Sequence, residues 1–369
     1  MRIVVSGGGT GGHIYPALAT CEGLKRKLPD CDLLYIGSDA GMEMEIVPRA
    51  GVPFQGVPAR KLRKLLSPAT AGVALSLFKG FREARRYIRA FQADAVVGTG
   101  GYVAAAAALA GVSLKMPTVI LAPDSIPGRT NRMLARFAQR ICVVFDETVS
   151  RFPAGKTVVT GLPLRAGVVA PPDIDKRVAR SRFAPLQPDW FTVLVIGGSQ
   201  GARAVNDRIV AALPALLAAG IQVLHQAGPN NIAAVTAAVE NLGLVPDAPY
   251  FAAGFLDDTQ MPLAYRAADL IVCRGGISTL SEATANALPA VVVPLPTAYA
   301  DHQTANAKAL ERAGAALCRP ESALTAERLA EELAGLKAAP DRLDAMTQAS
   351  RKMSRPNAAD SVAEIVLSL

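Results

Sequence analysis

Four times along the chain a short apolar run passes into a glycine-rich turn and then into a segment with helical spacing. The blocks are IVVSGGGTGGHIYPALATCEGL (3–24), DAVVGTGGYVAAAAALAG (94–111), FTVLVIGGSQGARAVNDRIVAAL (191–213) and DLIVCRGGISTLSEATANALPAVVVPLPTAYADHQTANA (269–307). Unbroken apolar runs of this length, closed by glycine, read as strands buried on both faces. Their alternation with helices predicts an α/β chain of parallel, doubly wound sheets. The first and third blocks begin about 190 residues apart, and each looks like the opening strand of a fresh sheet. Two similar domains are therefore expected, 1–163 and 164–345, with the junction at Thr160-Gly161-Leu162-Pro163-Leu164-Arg165. The charged stretch Pro171-Pro172-Asp173 to Lys176 would follow the junction. The tail, about 346–369, ends in the helix-like AADSVAEIVLSL with no strand left to pair. It is expected to pack back on the first domain.

The fourth block gives the most detail. Leu270 to Cys273 predicts a strand, and Gly275-Gly276 breaks it. Ser278, Thr279, Ser281 and Glu282 open a helix that ends before Pro289, and Ala290 to Val293 predicts the next strand. Pro294 and Pro296 stiffen the exit into an expected polar loop carrying Asp301, His302 and Gln303. Open α/β sheets bind ligands at the carboxyl ends of their strands. A glycine-led helix start offers free N–H groups to an anion there, and Glu282, one turn in, can accept from hydroxyls. Phosphate donors beside a hydroxyl acceptor describe a nucleotide-sugar site.

Composition narrows the class. Hydrophobic residues make up 51% of the 369, with 5% aromatic, as in a globular chain with room for two cores. No apolar run reaches the ~18 uncharged residues of a membrane span, and MRIVVSGGG reads as a strand rather than a signal peptide. Five scattered cysteines (Cys21, Cys31, Cys142, Cys273, Cys318) form no CxxC pair, which argues against zinc or a disulfide frame and fits a reducing cytosol. Residues 1–165 hold 22 Lys/Arg and 11 Asp/Glu, hence +11; residues 166–369 hold 17 and 20, hence −3. The basic half should meet an acidic partner.

The first loop, Gly7-Gly8-Gly9-Thr10-Gly11-Gly12, satisfies the dinucleotide pattern GxGxxG, with Asp39 where a ribose acid would stand. Against that reading, His13 would crowd a dinucleotide, and the second sheet carries its own loop, Gly197-Gly198-Ser199-Gln200-Gly201. Neither loop ends in the Gly-Lys-Ser/Thr of a P-loop. Two such loops facing a cleft could hold two phosphorylated ligands. His13, at the helix start, suits a general base near neutral pH. His302 reads as a binding residue and His225, in IQVLHQAG, as structural. Asp30-Cys31-Asp32 and Asp173-Ile174-Asp175 match the metal-binding DxD pattern by letter. The first lies at the wrong end of a strand and the second in the linker, so no metal is assigned.

Between residues 60 and 90 stand Arg60, Lys61, Arg63, Lys64, Lys79, Arg82, Arg85, Arg86 and Arg89 against one acid, Glu83. Phe81, Ala84, Ile88 and Phe91 predict a buried helical stripe, with Lys79, Arg82, Arg86 and Arg89 on the opposite face. Leu62, Leu65, Leu66, Leu75, Leu77 and Phe78 add apolar bulk among the cations. Each basic residue near an anionic bilayer contributes ~1 kcal/mol, and the apolar side chains can dip into the interface. With few aromatics for stacking and no known module, nucleic acid is not the expected partner.

Taken together, GGGTGGHIYPALA (7–19), GMEMEIVP (41–48), GTGGYVA (98–104), PGRTNR (127–132), GLPLR (161–165), GGSQGAR (197–203), CRGGISTLSE (273–282) and DHQTANA (301–307) resemble, in order, the motifs of the MurG family of bacterial peptidoglycan transferases. The resemblance covers nearly the whole chain. It implies a GT-B fold of two Rossmann-like domains and an inverting, metal-independent hexosyltransferase. That enzyme would move N-acetylglucosamine from UDP-GlcNAc to lipid I on the cytoplasmic face of the plasma membrane. By the same resemblance, His13 is the base. Thr10, Gly11, Gly12, Gly100, Gly101, Tyr102 and Asp124 belong to the acceptor side. Arg165, Ser199, Leu256, Ile277, Ser278, Thr279, Leu280, Ser281, Glu282 and Gln303 hold the donor: Ser199 and Thr279 its phosphates, Glu282 the ribose, Gln303 the sugar, and the Leu256 backbone the uracil. One stretch departs from the family. Where it reads His-Glu-Gln-Asn, this chain has Leu121-Ala122-Pro123-Asp124, a charged residue that cannot donate in place of an amide. A related lipid glycosyltransferase, a UDP-GlcNAc 2-epimerase of the same fold and an inactive sugar-nucleotide-binding subunit are the alternatives. An epimerase would need no basic apolar patch, and intact His13 and Glu282 argue against an inactive chain.

Overall fold

A computed structural model describes residues 1–59, 69–171, 173–245 and 247–369, with the side chains of all but 69–75. It divides into two compact units, Met1–Arg165 with Arg355–Leu369, and Ala166–Ser354.

The first unit is a seven-stranded parallel sheet: β1 (Arg2–Ser6), β2 (Asp32–Ser38), β3 (Phe54–Val57), β4 (Ala95–Gly98), β5 (Thr118–Ala122), β6 (Arg140–Val143) and β7 (Thr157–Val159), in the order β3-β2-β1-β4-β5-β6-β7. Its crossovers are α1 (Gly11–Lys27), α2 (Glu43–Arg49), α3 (Ala69–Phe91), α4 (Gly101–Ser113) and α5 (Arg129–Leu134). Ile3, Val4 and Val5 are fully buried because helices cover both faces of β1. Ile3 and Val5 pack with Ile14, Ala17 and Leu24 of α1, while Val4 packs with Ala84 and Ile88 of α3. The expected stripe on α3 is observed, with Phe81 and Phe91 half-buried against that second cluster.

The second unit begins with α6 (Lys176–Ser181) and is built on β8 (Phe191–Ile196), α7 (Arg203–Ala218), β9 (Ile221–Gln226), α8 (Ile232–Glu240), β10 (Tyr250–Ala253), α9 (Gln260–Ala267), β11 (Leu270–Cys273), α10 (Ile277–Ala285), β12 (Ala290–Val292), α11 (His302–Arg312), β13 (Ala316–Cys318), α12 (Ala326–Lys337) and α13 (Pro340–Met353). Its six strands run β10-β9-β8-β11-β12-β13, all parallel. Both sheets thus start at a central strand, run outward, and restart on the other side. Their switch points lie at β1/β4 and β8/β11, which is where open sheets bind ligands.

The return to the first unit comes at Arg355, later than the position near 346 that the sequence suggested. The reason is α13, which packs under α10: the buried Ser350 hydroxyl donates to Leu288 O at 2.8 Å. Only α14 (Ala358–Leu367) crosses back, onto α1. Val362, Ala363 and Val366 enter the first core. A β-carbon at Gly23 would lie 2.5 Å from Ala359 O, so the two helices touch backbone to backbone. Arg26 pairs with Asp360 and Lys27 with Glu364 at the rim.

Candidate functional site

In the first unit two glycine loops interlock around one imidazole. Gly9 has φ +84°, and Thr10 caps α1 in an extended conformation. The first turn then opens with Gly11, Gly12 and His13, whose N–H donates to Thr10 O at 3.1 Å. The second loop follows β4, with Gly100 at φ +113° and Gly101 at +82°. A β-carbon at Gly100 would lie 2.6 Å from His13 Nδ1, and one at Gly101 2.4 Å from Gly8 O. Only glycine at both places leaves room for the ring and for the first loop. Thr99 Oγ1 donates to His13 O at 2.8 Å, and His13 Nδ1 lies 3.2 Å from Thr99 O. A carbonyl can only accept, so Nδ1 carries the proton and Nε2 is the basic nitrogen. Tyr102, on the first turn of α4, lies over Gly9: a β-carbon there would be 2.9 Å from its Cε1. Burial, and secondarily the charge of Glu43, raises its phenol pKa.

Thr10, Gly11, Gly12, His13, Gly100, Gly101 and Tyr102 are therefore brought together. Asp124 follows β5, half-buried. Leu121 and Ala122 are core residues at the end of β5.

In the second unit the loop after β8 and the start of α10 stand side by side at the other switch point. Gly201 (φ +74°) and Gly228 (φ +96°) are pressed together: a β-carbon on Gly201 would lie 2.1 Å from Ala227 O. Ser199 is exposed at the loop tip. On α10, Ile277 and Leu280 point into the core and can offer only backbone, whereas Ser278, Thr279 and Glu282 are half-exposed. Ser281 Oγ is buried with no hydrogen-bond partner. Tyr265, on α9, donates to Glu282 Oε2 at 2.7 Å. An open pocket of about 620 Å³ is lined by Gly198, Arg274, Gly276, Thr279, Gln303 and Glu321, among others.

The segment around Gln303 differs from expectation. Asp301 ends a 3-10 turn, Tyr299–Asp301, and His302 and Gln303 form the first turn of α11 rather than a loop. Ala300 (φ 50°) and Asp301 (φ 55°) take the left-handed conformation that makes the corner, a strain of the kind found near binding sites. Gln303 Oε1 accepts from Leu295 N at 3.0 Å, and a β-carbon on Gly275 would lie 2.3 Å from Gln303 O. His302 Nδ1 lies 2.7 Å from Tyr299 O, a carbonyl that caps this ring too.

Leu256 is fully buried, and its N–H donates to Gln226 Oε1 at 3.0 Å. A base would thus meet its carbonyl. Beside it Phe255 is half exposed, an aromatic face that pattern reading passed over. Arg165, unlike the rest of the expected donor set, belongs to the first unit. It is the last residue of the first unit's main segment, its guanidinium 5.1 Å from the Tyr15 ring centroid.

Sequence reasoning also missed Arg274 and Glu321. The Arg274 guanidinium is nearly buried, bonds Glu321 at 2.6 Å and donates to Val293 O and Pro294 O, pinning the exit of β12. Arg274 is the one cation between Asp269 and Thr304, and that was the available signal.

His225 is structural, as expected. Asn206 Nδ2 donates to Ala227 O at 2.8 Å, which turns Asn206 Oδ1 toward His225 Nε2, 3.1 Å away. Nε2 must then be the donor, and Nδ1 accepts from the Tyr250 hydroxyl at 2.9 Å. Burial lowers this histidine's pKa to about 4, so it is neutral near pH 7.

Neither DxD pair approaches a glycine loop in its own unit. Asp32 starts β2 at the amino end of the sheet, and Asp175 caps α6 by accepting from Arg177 N. All five cysteines are buried as free thiols, with Cys142 and Cys273 pushed up to about 12 by burial. They are packing residues.

On α3, Lys79, Arg82, Arg86 and Arg89 are exposed, and Phe78 stands among them at 57% exposure. Arg60, Lys61, Leu62, Arg63, Lys64, Leu65 and Leu66 lie outside the described residues, as does the side chain of Leu75. Among the described residues no helix is long and apolar enough to cross a membrane.

Comparison with known proteins gives the family. Residues 3–143 match the glycosyltransferase family 28 N-terminal domain and residues 192–362 its C-terminal domain. The UDP-N-acetylglucosamine--N-acetylmuramyl-(pentapeptide) pyrophosphoryl-undecaprenol N-acetylglucosamine transferase of Desulforudis audaxviator is 39% identical over 99% of this chain and 98% of its own. The crystal structure of Acinetobacter baumannii MurG superposes with a TM-score of 0.78 at 30% identity, covering 100% of this chain and 99% of that one. A UDP-N-acetylglucosamine 2-epimerase superposes at 0.68 over 100% and 96% of the two chains, but at 13% identity this likeness is one of fold alone. The chain belongs to glycosyltransferase family 28, among the N-acetylglucosamine transferases of the MurG type.

Proposed function

We propose that the chain transfers N-acetylglucosamine from UDP-GlcNAc to lipid I, undecaprenyl-pyrophosphoryl-MurNAc-pentapeptide, forming a β-1,4 link and giving lipid II for peptidoglycan. The observation that carries this reading is the pairing of two unlike sites on like sheets. One unit fixes an imidazole between glycine loops, its Nδ1 against a backbone carbonyl. The other presents Thr279 at a helix start beside a glycine loop, with Glu282 one turn further along the helix. The donor and acceptor are those printed in the names of full-length relatives.

In the mechanism, Nε2 of His13 takes the proton from the acceptor C4 hydroxyl as that oxygen attacks the anomeric carbon of GlcNAc. The C–O bond to UDP breaks on the opposite face, so configuration inverts. The leaving diphosphate gains negative charge. The N–H groups at the start of α10 and in the loop after β8, with the Ser199 and Thr279 hydroxyls, are the groups placed to stabilise it. Glu282 accepts from the ribose hydroxyls, Gln303 meets the sugar, and the Leu256 carbonyl with the Phe255 face receives the uracil. Thr10, Gly11, Gly12 and the Gly100–Tyr102 loop hold the acceptor diphosphate, and Asp124 lies on that side. Arg165 joins the donor from the end of the first unit. The direct test is transfer of labelled GlcNAc from UDP-GlcNAc to a lipid I analogue by the purified chain. A labelled disaccharide lipid is expected; hydrolysis or epimerisation of UDP-GlcNAc without transfer would overturn the assignment.

The acceptor is lipid-linked, and the α3 face supports docking of the first unit on the anionic cytoplasmic surface of the plasma membrane. Phe78 supplies an apolar side chain among Lys79, Arg82, Arg86 and Arg89, and cations so placed attract anionic headgroups by ~1 kcal/mol each. Replacing Arg82, Arg86 and Arg89 with Glu should release the protein from phosphatidylglycerol vesicles in a flotation assay while UDP binding persists. Unchanged flotation would leave the stripe as a solvated helix face.

A further inference from the structure

The segment Gly41–Pro48 is one of those that resemble the family's motifs, yet nothing in the reaction above uses it. Its Glu43, at the first position of α2, is the one acidic side chain fully buried among the described residues. Oε1 accepts from Ser38 N at 3.0 Å, and Oε2 accepts from Gly9 N at 3.4 Å. No described cation pairs with it. Glycines clear its space: a β-carbon would lie 2.2 Å from Oε1 at Gly8, 2.3 Å from Oε2 at Gly41 and 2.7 Å from Cγ at Gly37. Around it stand Tyr35, whose hydroxyl donates to Gly7 O at 2.8 Å, and Tyr102 of the second glycine loop.

A buried carboxylate with two N–H donors and no cation is a costly way to fill a core, since an apolar side chain of like volume serves stability as well or better. What it accomplishes is geometric. It lies beneath the start of the first loop, against Gly8, accepting from the Gly9 N–H, and flanked by the tyrosine that holds Gly7. With Gly9 so fixed, the first turn of α1 keeps its unpaired N–H groups directed outward. We propose that Glu43 is a positioning residue for the acceptor: its carboxylate sets the first glycine loop in the shape that receives the acceptor diphosphate. This rests on the acceptor reading of that loop given above.

Glu43→Gln tests the idea, because the amide has the same shape. Its NH2 group must confront one of the two N–H donors, so one contact becomes repulsive. The positioning role predicts that KM for a lipid I analogue rises about tenfold, with KM for UDP-GlcNAc within about twofold of the parent. The alternative effect of the substitution has the opposite sign. Removing a negative charge behind an anion site would by itself lower the acceptor KM. A fall, or no change, overturns the proposal. Glu43→Asp, which keeps the charge but withdraws from Gly9, should raise the acceptor KM by a smaller factor, and it serves if the Gln variant does not fold. Thr10→Ala, on the exposed side of the same loop, separates the two layers of inference. If Thr10→Ala raises the acceptor KM and the Glu43 variants do not, the loop assignment stands and the role of Glu43 falls. If both affect only the donor KM, the loop itself has been assigned to the wrong ligand.

Discussion

The two sheets restart at corresponding places, β1/β4 and β8/β11, yet their switch points are furnished in opposite ways. The first is built almost wholly of backbone. Glycines at 8, 9, 100 and 101 leave room for one imidazole, one phenol and a buried carboxylate, and the loops hold each other by close contact. The second is built of side chains on a helix start: Thr279 and Glu282 face outward, Tyr265 braces the acid, and Arg274 with Glu321 pins the strand exit. A scaffold with one topology thus supports two kinds of site. In the reading proposed above, bare backbone fixes the base, whereas hydroxyls and a carboxylate sort the groups of the donor. What distinguishes the halves is which residues follow the glycines, not the fold.

The contrast is broken most severely by removing the reactive group. His13→Ala should lower turnover by ~10²–10⁴, the usual share of a general base, in a steady-state transfer assay. Activity near the parent's would mean that another group takes the proton. Gly100→Ala attacks the backbone instead. Its β-carbon would meet His13 Nδ1 at 2.6 Å, at a φ of +113°. The ring must move, and a displacement of ~1 Å costs about 10²-fold in turnover. A full-rate Gly100→Ala enzyme would show that the loop does not fix the imidazole.

The second unit should respond to pH through His225. Its folded-state pKa lies near 4, below the ordinary 6.5. The stability that comes from keeping it neutral is fully present above pH 6.5 and is lost as pH falls toward about 4. A shift of that size corresponds to at most about 3 kcal/mol. Urea unfolding at pH 7 and pH 4.5 should show the loss in the second unit's transition, and His225→Asn should flatten it. An equal loss in that variant would assign the pH dependence to other groups. The smallest effect concerns the residue that departs from its family. If Asp124 lies ionised beside the acceptor diphosphate, as the acceptor reading has it, Asp124→Asn should lower the acceptor KM by a few-fold, since like charges repel at short range. A change in donor KM alone would place this loop on the other ligand.

The fold was legible because its signal is local. Each buried parallel strand is an unbroken apolar run, and each switch-point loop is rich in glycine, so β1, β4, β8 and β11 can be read without knowing what they touch. The placement of Thr279 and Glu282 on one helix was legible for the same reason, since adjacent turns present both. What sequence could not yield depends on partners distant in the chain. Arg274 meets Glu321 across two strands, and Glu43 matters only because Gly8 and Gly9 fold over it. His302 and Gln303 were read as loop because prolines precede them. The left-handed turn at Ala300 and Asp301, the first of which has no preference for it, starts α11 at His302. The tail boundary was misplaced because α13 and α14 are both amphipathic helices, and only packing shows that Ser350 belongs under α10.

The central claim is the division of labour: the second unit holds the donor and the first supplies the base. It is tested most directly by calorimetric titration of UDP-GlcNAc into the parent, His13→Ala and Glu282→Ala proteins. The account predicts the parent Kd for His13→Ala and a Kd raised about tenfold or more for Glu282→Ala, the loss of a hydrogen bond to a charged group being ~1.5–3 kcal/mol. A Kd raised by His13→Ala and untouched by Glu282→Ala would contradict it.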